Sequence, residues 1–396
     1  MEDSQYILVT VSGPDHPGIT SMLLDIITQA GDAIADMGQA VTHGLLSLSI
    51  MIEIKSRDES GNPVVLKEML FRTSQIGLTL TYQPIEAKQD VFDNSEKFIL
   101  NCVSVNNISA EFLRDVSGTL ADHDINIVRI DNMEPGSFKV MEITTSIPEG
   151  LDFKGIKANL YALSTQHRVD VAFLRDNVFR RSKRLIVFDM DSTLIQTEVI
   201  DEMAEVHGVG AEIKEITERA MNGELDFDES LIQRVSKLKG LEVSKMEEIL
   251  KNLPFTTGCQ EFIRTVKSLG YKVAIISGGF SFFANALKDQ LGIDYAFANE
   301  LEIINGKLTG NVEGQIVNAN QKAFLLKVLA QQEQINLDQV VAIGDGANDL
   351  PMLATAGLGI AYHAKDIVRK TAEQHMSHGP MTTILYFLGI PSSSIV

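Results

Sequence analysis

Hydrophobic positions in the first 175 residues fall into short alternating runs separated by stretches of helical period. Residues 6–12 read as a strand. The turn cluster Gly13-Pro-Asp-His-Pro-Gly18 then leads into a helical pattern at Ile19, Met22, Leu23, Ile26 and Ile27. Strand-like runs at 33–42 and 45–54, a helix at 64–76 and a strand at 78–82 complete a β-α-β-β-α-β order, the ferredoxin-like unit. The order repeats: strand 98–105, helix 110–120, strands 125–130 and 138–147, helix 156–164, strand 169–174. An offset of roughly ninety residues marks a duplication, with the polar residues 86–95 as linker.

From residue 185 the pattern changes. Leu185-Ile-Val-Phe188, Val273-Ala-Ile-Ile276 and Val340-Val-Ala-Ile343 are unbroken apolar runs, as expected for parallel strands covered on both faces. The first ends in Asp189-Met-Asp191-Ser-Thr, the second in Ser277-Gly278-Gly279 before a helix at 281–291, and the third in Gly344-Asp345-Gly-Ala-Asn348-Asp349. Alternation along a strand puts Asp189 and Asp191 on one side. Between the first two runs, residues 198–254 are amphipathic and helical, so placed that they can fold over the first strand's end as a cap. The expected fold is α/β: a doubly wound, Rossmann-like parallel sheet with a helical cap, preceded by two ferredoxin-like α+β units. Expected domains are 1–85, 96–176 and 185–396, the cap spanning about 199–255, with the basic stretch 176–184 a linker presenting a solvated face.

Composition narrows the function. With 34 basic and 53 acidic residues the chain carries a net charge of −19, which repels nucleic acid and anionic membranes, so an anionic substrate needs a local positive site. No apolar stretch approaches the roughly eighteen residues of a membrane helix. The charged start Met1-Glu-Asp is unlike a signal peptide. Cys102 and Cys259, far apart, read as reduced structural thiols, and a cytoplasmic location follows. His375 and His378, three apart at what reads as a helix end, lack a third ligand and are expected to be packed or solvated rather than zinc-bound. Neither a GxGxxG nor a GxxxxGK[ST] loop occurs.

The chemistry suggested by the strand ends is metal-assisted phosphoryl transfer. A buried carboxylate pair is costly unless a cation shares it, and carboxylate oxygens suit Mg²⁺ better than zinc. Ser277 and the backbone at Gly278, before a helix, form an anion site. Lys322, near the start of a helix at 321–331, is a point charge for a phosphoryl oxygen. In the cap segment, Glu198 and Arg234 are either ordinary surface charges or a grip on a zwitterion, Glu198 on an ammonium and Arg234 on a carboxylate.

The tandem front units resemble ACT domains, with Asp15-His-Pro-Gly18 matching that family's turn and Asn106-Asn-Ile-Ser109 departing from it. This implies modules that bind amino acids, serine among them, and pair side by side, hence a homodimer. His16 serves either such a ligand or only its own turn. The second half resembles the haloacid dehalogenase-like phosphohydrolases, whose first motif is DxDx[TV] and whose last is GDGxND. That resemblance implies Asp189 as nucleophile, Asp191 as proton donor and acceptor, and Mg²⁺ held by Asp189, the Asp191 backbone carbonyl and Asp345. Ser277, Gly278 and Lys322 would hold phosphate, while Asn348 and Asp349 orient the site. Glu198-Val-Ile-Asp-Glu202, Ala220-Met-Asn-Gly-Glu-Leu-Asp-Phe227 and Arg234-Val-Ser are similar to the phosphoserine phosphatases in particular. There Glu198 and Arg234 would bind the serine moiety of O-phosphoserine, with Met221 and Phe227 lining the pocket. Two alternatives stay open: the same chemistry on another small phosphomonoester, and an amino-acid-sensing protein with a vestigial phosphatase.

Overall fold

The front of the chain has the β-α-β-β-α-β order expected of it. β1 (Gln5–Pro14), α1 (Ile19–Ala30), β2 (Ala33–Thr42), β3 (Leu45–Ile54), α2 (Val64–Gln75) and β4 (Thr79–Ile85) give an antiparallel sheet in order β2-β3-β1-β4. The structure, a computed structural model, describes residues 5–85, 96–134, 137 and 139–395, which divide into two units, one on each side of residue 95. In the first unit α1 is bracketed by Gly18 (φ 100°) and Gly31 (φ 75°), left-handed positions at which a side chain would be strained. Its Leu23, Ile26 and Ile27 pack with Val9, Val11, Leu48 and Ile50, the inward residues of alternating strands.

In the second unit β5 (Lys97–Val103), α3 (Ala110–Asp122), β6 (Asn126–Asn132), β7 (Val140–Ser146), α4 (Phe153–His167) and β8 (Asp170–Arg175) repeat the topology as β6-β7-β5-β8. Here Ser109 starts α3, its Oγ accepting the Phe112 N–H at 3.2 Å, the ordinary N-cap. The basic stretch 176–184 is not solvated throughout, contrary to expectation. Arg180 is buried and donates to both carboxylate oxygens of Glu142, at 2.9 and 3.0 Å.

The doubly wound core follows in the same unit. β9 (Leu185–Phe188) leads to the cap helices α5 (Val199–His207), α6 (Gly210–Met221), α7 (Phe227–Lys237) and α8 (Val243–Asn252). Then come α9 (Cys259–Ser268), β10 (Lys272–Phe280), α10 (Ser281–Leu291), β11 (Tyr295–Ile304), β12 (Lys307–Glu313), α11 (Ala319–Gln332), β13 (Val340–Gly344), α12 (Leu350–Thr355), β14 (Leu358–Tyr362), α13 (Asp366–Thr371), β15 (Gln374–Met376) and α14 (Ile384–Phe387). The sheet order is β12-β11-β10-β9-β13-β14-β15, parallel except for β12 at one edge. All four β9 side chains are fully buried, each worth about 1.5–3 kcal/mol. Because β10 and β13 flank β9, the connections reverse direction there, and ligands of doubly wound sheets bind at the carboxyl ends of such strands.

The edge of the core sheet meets the second ferredoxin-like sheet. The Gln374 amide donates to the Phe173 carbonyl at 3.1 Å and accepts its N–H at 3.0 Å. Asp170 accepts the N–H groups of Ser377 (2.7 Å) and His378 (2.9 Å). His375 lies in β15 rather than at a helix end, its Nε2 3.0 Å from Ser164 Oγ. Cys102 and Cys259 are buried free thiols. Among the described residues no helix is long and apolar enough to cross a membrane.

Candidate active site

β9 stops at Phe188, before either aspartate of the first motif. A tight turn, not strand alternation, therefore places both: Asp191 is extended (φ −65°, ψ 136°) and Ser192 is left-handed (φ 56°), an uncommon conformation for a residue with a side chain. Asp189 is held at both oxygens, Oδ1 by the Met190 N–H at 2.7 Å and Oδ2 by Lys322 Nζ at 2.9 Å. Asp191 Oδ1 accepts the Val199 N–H at 2.9 Å, so the first cap helix is tied to this carboxyl. Burial, with Glu198 and Asp189 close by, holds Asp191 well above the usual carboxylate range. One aspartate is thus paired with a lysine, and its neighbour is biased towards its protonated form.

β10 runs through Ser277-Gly278-Gly279 instead of ending at the serine, with a register shift between Ile276 and Phe280. Such a bulge re-aims a side chain. A Cβ at Gly279 would strike Asp191 and Met190, so close approach favours glycine there, and one at Gly278 would crowd the Phe227 ring of the cap. Ser277 Oγ accepts the Gly279 N–H at 2.9 Å. Asn299 braces the loop: its Nδ2 donates to the Gly278 carbonyl and its Oδ1 accepts the Val317 N–H, each at 2.7 Å.

Lys322 is fully buried and also donates to Asp349 Oδ1 at 2.7 Å. Burial alone would lower its proton affinity, but Asp189 and Asp349 outweigh that and raise it, so the ammonium is secure. Thr193 Oγ1 donates to Asp345 Oδ1 at 3.1 Å. Burial, then Asp189 and Asp349, push Asp345 up to about 7, and burial with Asp189 nearby pushes Asp349 up to about 6 despite Lys322. Oxygens of Asp189, Asp345 and Asp349 lie within 4.8 Å of one another. Three carboxylates drawn together against their repulsion are a fitting donor set for a hard cation.

The cap and the strand ends enclose a cavity of about 720 Å³. Asp189, Asp191, Ser277, Gly278, Asp345 and Asn348 line it from the core, and Glu198, Phe227 and Arg234 from the cap. Lys322 and Asp349 lie beneath this lining, and the Met221 side chain falls outside the described residues. Ser192 Oγ donates to Glu198 Oε1 at 2.9 Å, yet burial raises Glu198. Burial lowers Arg234 from its ordinary value while Asp201, Glu198 and Asp191 oppose that. Asp201, which also lines the cavity, was missed by sequence reasoning, although it stands three residues after Glu198 on one helix face. Thr193 lay inside the first motif without an assigned role, and no pattern in the sequence singles out Asn299.

Comparison with known proteins sets this geometry in a family. The haloacid dehalogenase-like hydrolase family matches residues 183–357, and the ACT domain family matches residues 5–83. A protein of Streptomyces coelicolor named phosphoserine phosphatase is 36% identical over 393 residues, covering 99% of this chain and 94% of the relative. The chain belongs to the phosphoserine phosphatase family. A yeast member from Saccharomyces cerevisiae is 39% identical over 303 residues, 76% of this chain and 98% of its own. A crystal structure of a probable phosphoserine phosphatase from Vibrio cholerae superposes with a TM-score of 0.59 at 36% identity, covering 75% of this chain and 87% of that one. A haloacid dehalogenase-family hydrolase from Salmonella enterica serovar Typhi gives a TM-score of 0.65 at 31% identity, covering 74% and 98%. Both the phosphoserine phosphatase fold and its N-terminal ACT domain are therefore present.

Proposed function

We propose that this chain hydrolyses O-phospho-L-serine to serine and phosphate through an aspartyl-phosphate on Asp189, the closing step of serine synthesis. The observation that carries the reading is the single cavity in which the lysine-paired Asp189 and the acid Asp191 share space with Glu198 and Arg234. Asp189 attacks phosphorus while the bond to the serine oxygen breaks, and Asp191 gives that oxygen its proton. Asp191, now a carboxylate, takes a proton from the water that attacks the acyl phosphate, freeing Asp189 and releasing phosphate. Ser277 and the Gly278 backbone hold phosphoryl oxygens, and Asn348 lines the same cavity. Lys322 neutralises Asp189 so that a dianion can approach.

Mg²⁺, held by Asp189, Asp345 and the Asp191 backbone carbonyl with Asp349 in support, would add the positive charge that this acidic site needs for a dianionic ester. Glu198 takes the substrate ammonium and Arg234 its carboxylate, with Phe227 walling the cap side. The ACT units would bind serine or another amino acid and pair in a cytoplasmic homodimer. Phosphate release from O-phosphoserine, O-phosphothreonine and phosphoethanolamine tests the reading. Preference for phosphoserine, lost against phosphoethanolamine in Arg234→Ala with turnover retained, is expected. No release from any of the three would mean a vestigial site, and a preference for phosphothreonine would mean another phosphomonoester.

A further inference from the structure

The cavity wall is strongly acidic, with Asp189, Asp191, Glu198, Asp201 and Asp345 set against two cations, Arg234 and Lys365. Arg234 is already surrounded by Asp201, Glu198 and Asp191. Lys322 is sealed beneath the surface between Asp189 and Asp349. Lys365 differs from both. It is exposed on the stretch between β14 and α13, and its ammonium has no ion pair or hydrogen bond among the described residues. The adjacent acid, Asp366, is engaged by Arg369 instead.

The root of this side chain is fixed even though its tip is free. The Lys365 carbonyl accepts the N–H groups of Val368 (2.9 Å) and Arg369 (3.0 Å). Val368 is buried, and Ile367, 71% exposed, lines the same cavity. An isolated surface lysine is ordinary, but a free ammonium anchored in the rim of an acidic cavity is not. In a chain of net charge −19, a phosphate dianion approaches against the overall field, and a local cation at the mouth offsets it.

We propose that Lys365 is the capture residue of this site, the cation that draws a phosphomonoester dianion into the cavity before the Ser277 loop takes it over. The inference rests on the phosphatase reading and adds a residue that acts on arrival rather than on bond cleavage. Its signature is a split between kinetic constants. Steady-state hydrolysis of O-phosphoserine by the full-length Mg²⁺-loaded enzyme is measured against NaCl concentration. Lys365→Ala is expected to lower kcat/KM about tenfold at low salt, to leave kcat within about twofold, and to flatten the salt dependence. Lys365→Arg should restore both, and Lys365→Glu should lower kcat/KM further. Lys370→Ala, on α13 just beyond Lys365 but outside the cavity wall, should behave as wild type.

An unchanged kcat/KM and salt slope in Lys365→Ala would overturn the proposal, as would a fall in kcat as large as that in kcat/KM, or an equal loss in Lys370→Ala. Parallel assays with p-nitrophenyl phosphate separate the two readings. If wild type cleaves only the aryl ester, the phosphoserine reading fails, and the same variants on that dianion decide the role of Lys365.

Discussion

The two ferredoxin-like units share a topology and differ in what covers them. In the first, burial alternates along β1 and β3: Ile7, Val9 and Val11 are buried between half-exposed neighbours, so helices cover one face. In the second, β5 is buried without a break from Phe98 to Val103, and β8 from Asp170 to Phe173. Its sheet sits between its own helices and the hydrolase core. The sequence differences fit this division. The first copy keeps the Pro-Gly turn with its exposed His16, whose Nδ1 lies 3.3 Å from the Pro17 carbonyl oxygen, whereas the second starts its helix on a plain serine cap. The second copy also places Glu142, Asp170 and Ser164 where the core can bond to them. The second copy is part of the catalytic unit's framework.

Breaking the Glu142–Arg180 pair should give the largest contrast. Arg180→Ala strands a buried carboxylate and is expected to cost about 3–5 kcal/mol, read as a large drop in Tm. Arg72→Ala, which removes the exposed Arg72–Glu68 pair of the first unit, should cost under about 1 kcal/mol. Similar effects from both would erase the distinction. Gln374→Ala removes both bonds to Phe173 and should cost about 1–3 kcal/mol in urea unfolding, with the activity of the remaining folded enzyme retained.

The seam should also respond to pH with two opposed slopes. Burial and the nearby Arg369 and His378 lower His375 to about 4, so the folded state binds fewer protons than the unfolded one and stability falls as pH drops from about 6.5 to 4. Burial raises Asp170 to about 7 despite its two N–H partners. The folded state then binds more protons, and stability rises as pH drops from about 7 to 4. Melting curves across this range should therefore show His375→Gln gaining Tm relative to wild type as pH falls, and Asp170→Asn losing it. Parallel behaviour of the two variants would contradict the assignment. The smallest effect expected is a rise of a degree or two in Tm with a few millimolar serine. It should vanish when the first unit's turn is altered by Gly18→Val but persist when Ser109→Ala alters the second.

Local order was legible because local physics dictates it. The helix begun at Val64, the helix spanning Ser281–Leu291 and the unbroken apolar runs that precede Asp189, Ser277 and Asp345 follow from periodicity alone. The doubly wound architecture followed from the length of those apolar runs. What escaped was long-range. Arg180 in a basic run reads as solvated because its partner is 38 residues upstream, and His375 reads as a helix end because β15 is only three residues long and owes its conformation to β14. Within the site the carboxylates were visible in their motifs. Their division of labour was not, because it depends on a turn after β9 and on a lysine brought from α11.

The central claim is that Asp189 is the nucleophile and that the Met190 N–H and Lys322 hold it in place. Phosphate release from O-phosphoserine by Asp189→Asn, measured beside its melting curve, tests this most directly. The account predicts a loss of at least about a thousandfold in kcat from a protein that remains folded. An Asp189→Asn enzyme that turns over at a rate near wild type would contradict it.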